Sequence, residues 1–199
     1  MDHGEVQVVK CSTCFEGFFR IDKYRLRHSL FQGGMSDEMS RELFERGGAV
    51  AVLPYDPVLD RVVLIEQFRI GAIRDKNGAW LTEIVAGMIA DGEMPEDVAR
   101  RESIEESGCE IGELLPICTY YPSPGACSET IALYCGKVDA RDVSGIHGLD
   151  HENEDIRVFT AGFEEALTWI DSGRINSAAP IMALQWLEIN KAKVVAAWK

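Results

Sequence analysis

The chain contains no apolar run near the roughly 20 residues that cross a bilayer, and its opening decapeptide MDHGEVQVVK has no apolar signal core. A cytoplasmic protein is therefore expected. Basic residues are scarce: Lys+Arg number 20 against 33 for Asp+Glu, a net charge of −13. That balance argues against nucleic-acid backbones and anionic membranes as partners. Ligand patterns for zinc are missing too. Cys11-Ser-Thr-Cys14 is a lone CxxC with no second CxxC or HxxxH to complete four ligands. The remaining cysteines (Cys109, Cys118, Cys127 and Cys135) are scattered, and a chain of this size and apolar content has no need of a disulfide framework. His3, His28, His147 and His151 show no metal-ligand spacing. There are no internal repeats and no low-complexity segment.

What is present is a carboxylate-rich stretch, Gly87 to Cys109, GMIADGEMPEDVARRESIEESGC. It reads as a glycine loop feeding a helix. Pro95 suits the first helical turn, Glu96 and Asp97 suit the positive end of the helix dipole, and Gly108 supplies a stop. At about 100° per residue, Glu102 and Glu106 project about 40° apart, and Glu105 lies about 60° from Glu102 on its other side. Three carboxylates thus share one face. Like charges at this spacing repel, so an isolated helix would gain nothing from them. A solvated acidic face is one explanation; a hard-oxygen site for Mg²⁺ or Mn²⁺ is the other.

The spacing of Gly87, Glu93, Arg101, Glu102, Glu105, Glu106 and Gly108 resembles the signature of the Nudix hydrolases, which cleave a nucleoside diphosphate linked to another moiety. Every fixed glycine, glutamate and arginine of that signature is present. Its two apolar slots hold Ser103 and Cys109, and Ser103 departs from the pattern in a way that bears on packing. Further segments are similar to the branch of this family that hydrolyses ADP-ribose: GFF (17–19), ELFERG (42–47), LIEQFRI (64–70), EIVAGMI (83–89), SGIHGL (144–149), ENEDIRV (152–158), ALQWL (183–187), and Pro124 beyond the signature.

Taken in order, the chain predicts an edge strand at 5–10, one or two strands from residue 17 with a turn at 32–34, and a third at 40–46. A hairpin follows at 49–55 and 61–68, then a loop at 71–79 and one strand at 80–86. After the carboxylate helix come strands at 114–120, 130–138 and 155–160, with polar loops at 121–129 and 139–154, and two helices at 163–171 and 175–197. In the last helix Leu184, Leu187 and Val194 fall within about 80°, an apolar stripe. The fold class expected is α+β: a Nudix-like α/β/α sandwich with a mixed β-sheet, residues 47–199, plus a small N-terminal antiparallel β unit, residues 1–46. The N-terminal unit is too small for its own core, and its free edges make a homodimer with exchanged strands the expected assembly.

The resemblance implies Mg²⁺-dependent (Mn²⁺ possible) hydrolysis of ADP-ribose to AMP and ribose 5-phosphate. It assigns metal binding to Glu102, Glu105, Glu106, Glu154 and the main-chain carbonyl of Ala86. It makes Glu152 the general base, with Glu105 next in line, and Arg101 an aiming residue paired to Glu105 and Glu93. For the substrate it implies Phe18 on adenine, Arg41 and Glu42 near that end, Arg69 on a phosphate, Glu129 toward the terminal ribose, and Pro124 in the substrate-binding loop just before it. Two alternatives stand beside it. One is a pyrophosphatase for another nucleotide sugar such as GDP-mannose; the other is a non-catalytic ADP-ribose sensor, which the intact glutamates disfavour.

Overall fold

The computed structural model describes residues 4–198, so His3 lies outside the described residues. The chain divides into two compact units. The first comprises the described part of Met1–Gly47 together with Tyr121–Thr130. Its three strands, β1 (Val6–Glu16), β2 (Arg20–His28) and β3 (Met39–Glu45), form an antiparallel sheet in the order β1-β2-β3. β1 is longer than the edge strand the sequence predicts, and the CxxC lies inside it. Every residue of β1 is exposed and its register slips between Val8 and Lys10 and again between Thr13 and Phe15. With no buried face, no period-2 signal marks where such a strand ends.

Tyr121–Thr130 joins this unit through β3. The Phe44 N–H donates to the Ala126 carbonyl (2.8 Å), the Ser128 N–H to the Phe44 carbonyl (3.0 Å), and Arg46 pairs with Glu129 (2.5 Å). A loop far along the sequence is thereby fixed beside the N-terminal strands.

In the second unit β4 (Gly48–Asp56), β5 (Arg61–Phe68), β8 (Leu114–Tyr120), β9 (Thr130–Lys137), β10 (Gly145–His147) and β11 (Ile156–Gly162) form a mixed sheet in the order β10-β11-β5-β4-β9-β8. The single strand expected at 80–86 is two: β6 (Trp80–Glu83) pairs with β5, and β7 (Val85–Met88) pairs with β4. The chain changes partners at Ile84. A hydrophobic pattern cannot reveal that, because both halves are apolar either way. β10 falls within the loop expected at 139–154; at three residues, with two of them exposed, it is too short to carry a period.

β4 and β5 are buried on both faces, and their alternate residues face different helices. Val50, Val52, Val63 and Ile65 join Val98 and Ala99 of α1 (Pro95–Ser107) in one core cluster. Ala51, Leu53, Tyr55, Val62 and Leu64 join residues of α2 (Phe163–Asp171) and α3 (Ala178–Ala197) in the other. The predicted stripe Leu184, Leu187 and Val194 is buried there. Burying a leucine side chain of this kind contributes about 1.5–3 kcal/mol. The unit is an α/β/α sandwich.

α1 begins at Pro95, carries Glu96 and Asp97 in its first turn, and closes on Gly108 in the left-handed region (φ 69°). Two bonds seal its end: the Gly108 N–H donates to the Ile104 carbonyl and the Cys109 N–H to the Ser103 carbonyl. Ser103 is fully buried, and its hydroxyl has no hydrogen-bond partner among the described residues. A buried hydroxyl without a partner costs about 1–3 kcal/mol. Ser103→Ala removes that group at little loss of volume, so it should stabilise the protein by about 1 kcal/mol. Chemical denaturation checks this; an unchanged or lower midpoint would show that the hydroxyl is satisfied in solution.

Candidate active site

β7 runs directly into the glycine loop, and α1 packs over β7, which sets the carboxylate face of the helix against the Ala86–Gly87 backbone. Glu106 is only 3% exposed, and one carboxylate oxygen accepts the Ala86 N–H at 2.9 Å. Burial pushes its carboxyl up to about 8, against the Ala86 N–H and the charge of Arg69, with Glu102 and Glu154 adding to the rise. Glu102 is also raised, first by burial, then by Glu105 and Glu154, with Arg101 opposing. Gly87 makes this packing possible: a Cβ there would fall 2.0 Å from a Glu102 carboxylate oxygen.

Arg101 holds the outer rim. One terminal nitrogen lies 2.9 Å from both Glu102 and Glu105, and the other lies 3.7 Å from Glu93. Glu93 in turn accepts the Ala90 N–H at 2.9 Å, so the glycine loop and the helix share one ion-pair network.

The segment after β10 is tied to the far end of α1. Gly148 (φ 102°) donates its N–H to the Glu105 carbonyl at 3.1 Å, one of the carbonyls a helix end leaves open. A carboxylate oxygen of Glu154 accepts the Leu149 N–H at 3.1 Å, which closes the turn, and Asn153 takes a left-handed conformation (φ 56°). Glu154 therefore stands within electrostatic range of Glu102 and Glu106. Glu152 stands apart from them: its side chain is 57% exposed, and its ion-pair neighbour is His151 at 3.6 Å. The structure gathers Glu102, Glu105, Glu106 and Glu154 and leaves Glu152 on the solvent side of a short 3₁₀ turn (Asp150–Glu152).

Arg69 follows β5, and its Nε–H donates to Glu83 of β6 at 2.6 Å. Glu83 opens the EIVAGMI segment (83–89), yet its spacing assigns it no role; a lone carboxylate inside an apolar strand is the one local signal that marks it. The other substrate-side candidates lie in the first unit. Phe18 is 88% exposed, edge-on to Phe19 at 4.7 Å. Arg46 stacks over Phe19 (5.0 Å) and pairs with Glu129. Arg41 is exposed and donates to the Ser40 carbonyl, Glu42 lies 3.6 Å from Lys23, and Pro124 is exposed in its loop.

The donor set fits a hard divalent cation. It consists of oxygens alone, four carboxylates and the Ala86 carbonyl, with two of the carboxylates pushed toward the protonated form by burial and neighbouring charge. Among the described residues no three side chains yet converge at ligand distance on one point. Without a cation, stability should fall as pH rises from near 4.5, the ordinary value for Glu106, to about 8. Over that window the folded protein keeps a proton that the unfolded chain has released, so each step upward favours unfolding. A cation that binds the ionised pair offsets this loss. Addition of Mg²⁺ should therefore raise Tm more at pH 8.5 than at pH 6, and Glu106→Gln should flatten the difference. Thermal melts with EDTA and with Mg²⁺ at both pH values read it directly.

A strand-fed glycine loop, a carboxylate helix and a two-faced mixed sheet define a Nudix domain. The sequence model of the family described as "NUDIX domain" matches residues 45–194, and the chain belongs to that family. It is 49% identical over 194 residues to the ADP-ribose pyrophosphatase of Escherichia coli (strain K12), covering 98% of this chain and 93% of that protein. It is 42% identical to the ADP-ribose pyrophosphatase of Haemophilus influenzae (98% and 91% covered) and 29% identical to a GDP-mannose pyrophosphatase of Yersinia pestis (94% and 93% covered). A solved ADP compounds hydrolase, 18% identical, shares the fold at a TM-score of 0.72 over 95% of this chain and 96% of that one.

Proposed function

We propose that this protein hydrolyses the pyrophosphate of ADP-ribose to AMP and ribose 5-phosphate, using Mg²⁺ or Mn²⁺. The observation that carries the reaction is the fit of Gly87 against Glu102, which lets that carboxylate and the buried Glu106 face the same backbone. The substrate is supported by the relatives at 49% and 42% identity, both named as ADP-ribose pyrophosphatases. Glu102, Glu105, Glu106, Glu154 and the Ala86 carbonyl would hold the cations. Bound there, they would neutralise phosphate charge and lower the pKa of water. Arg101 aims Glu102 and Glu105. Glu152 removes the proton of the attacking water when its exposed turn closes on substrate. Phe18 stacks on adenine with Arg41 and Glu42 beside it, Arg69 grips a phosphate, Glu129 bounds the terminal ribose, and Pro124 shapes the substrate-binding loop before it.

Incubation with ADP-ribose and Mg²⁺ followed by product analysis tests the reading: AMP and ribose 5-phosphate are expected, and intact ADP-ribose after long incubation rejects it. The relative at 29% identity favours a second substrate, GDP-mannose, and parallel turnover on the two compounds decides between them. The protein is further proposed to act in the cytoplasm as a homodimer in which residues 1–46 of each chain serve the partner's site, those at 47–199 forming the hydrolase domain. Eleven exposed residues in β1 leave an open sheet edge that a second chain would cover. Removal of residues 1–46 should abolish dimerisation and ADP-ribose affinity together. Sedimentation of the intact chain as an active monomer would end this proposal.

A further inference from the structure

We propose that Glu83 is a positioning residue for the substrate's pyrophosphate: by taking the Arg69 Nε–H it fixes the guanidinium so that the two terminal nitrogens remain for a phosphoryl group. The inference rests on the hydrolase reading above.

Three observations carry it. Glu83 and Arg69 meet through one short bond, 2.6 Å at Nε, and neither terminal nitrogen of Arg69 makes a hydrogen bond among the described residues. A carboxylate on Nε leaves one edge of the planar fork free, and that edge matches phosphate with two parallel N–H bonds. Second, the pair lies on the face of the sheet that carries α1. Val63 and Ile65 of β5 pack with α1, Ile65 stands opposite Glu83, and Gln67 and Arg69 follow at the same parity. Arg69 stands close enough to Glu106 for its charge to be felt there. Third, Gln67, between Ile65 and Arg69 on that face, is 6% exposed, and its side-chain nitrogen has no partner among the described residues. A buried donor beside a half-open arginine marks a place built to meet an acceptor from outside.

A merely structural ion pair would explain less. The Arg69 side chain is 41% exposed, so the pair contributes little to stability, while the sheet is already registered by β5–β6 pairing, the Arg69 N–H bond to the Ala79 carbonyl (2.7 Å) and the Phe68–Trp80 contact (5.6 Å). What the pair does restrict is the direction of the guanidinium.

The test is a double-mutant cycle on the full chain, with Glu83→Ala, Arg69→Ala and the double variant, and Glu83→Gln as a size-preserving check on folding. Glu83→Ala should raise KM about tenfold and change kcat by less than about threefold, with Tm unaltered. In the Arg69→Ala background it should do nothing further. Added guanidinium ion should lower the KM of Arg69→Ala, and lose that effect when Glu83 is also removed. An unchanged KM in both Glu83 variants, a loss confined to kcat, or an equal loss in the Arg69→Ala background would each overturn the proposal. Pyrophosphate is common to ADP-ribose and GDP-mannose, so the cycle runs on whichever the wild-type protein turns over. Wild-type inactivity on both would instead remove the functional reading, and it shows before any variant is compared.

Discussion

Glu106→Gln should lower kcat by about 10³-fold or more at saturating Mg²⁺ while the protein stays folded. Glutamine fills the same space, and its side-chain oxygen still accepts the Ala86 N–H that Glu106 now accepts at 2.9 Å. Only the negative charge is lost. Phosphoryl transfer offers a protein little covalent work, so positioning and charge stabilisation account for most of the rate. Glu106 is the most buried of the α1 carboxylates, where a charge interacts most strongly with a cation held beside it. Removing the charge should also lower the burial penalty, so Tm without metal should hold or rise. Steady-state turnover and a melt on the same sample measure both. Near-normal turnover would take Glu106 out of the cation site.

Glu152→Gln should lower kcat by about 10²–10⁴-fold with KM close to normal, and flatten the acidic limb of the pH–rate profile. Glu152 is exposed at a 3₁₀ turn, whereas Glu154 is tied to the Leu149 N–H and lies in the field of Glu102 and Glu106. A base must approach the reacting water and then move away; a ligand must stay. Glu154→Gln should accordingly raise the Mg²⁺ concentration needed for half-maximal rate and leave the shape of the pH profile. If the two variants exchange these behaviours, the roles exchange with them.

The two glutamates show where reading the sequence stops. Residues 139–154 carry no apolar period, so the sequence shows a polar loop whose two glutamates, Glu152 and Glu154, lie two positions apart. The Gly148 N–H bond to the Glu105 carbonyl ties this loop to α1, and the Leu149 N–H bond to Glu154 closes its turn; neither has a local periodic signal. Arg101 was different. Its neighbours at +1 and +4 lie on the same helix, and helical geometry alone brought it to Glu105 and near Glu102.

By itself the sequence determined the elements whose signals are local. The carboxylate helix with its proline start and glycine stop, the apolar stripe of α3, the β4–β5 hairpin and the spacing of the glutamates all follow from periods of 3.6 and 2 and from backbone preferences. Tertiary structure alone decided the partner exchange at Ile84, the joining of Tyr121–Thr130 to β3, the Arg69–Glu83 pair, and the division between gathered Glu154 and exposed Glu152. The first three depend on which distant segments become neighbours, and the last on how a short turn is closed and held to α1. Local periodicity is silent there, because it reports which face of an element is apolar and never what comes to cover it.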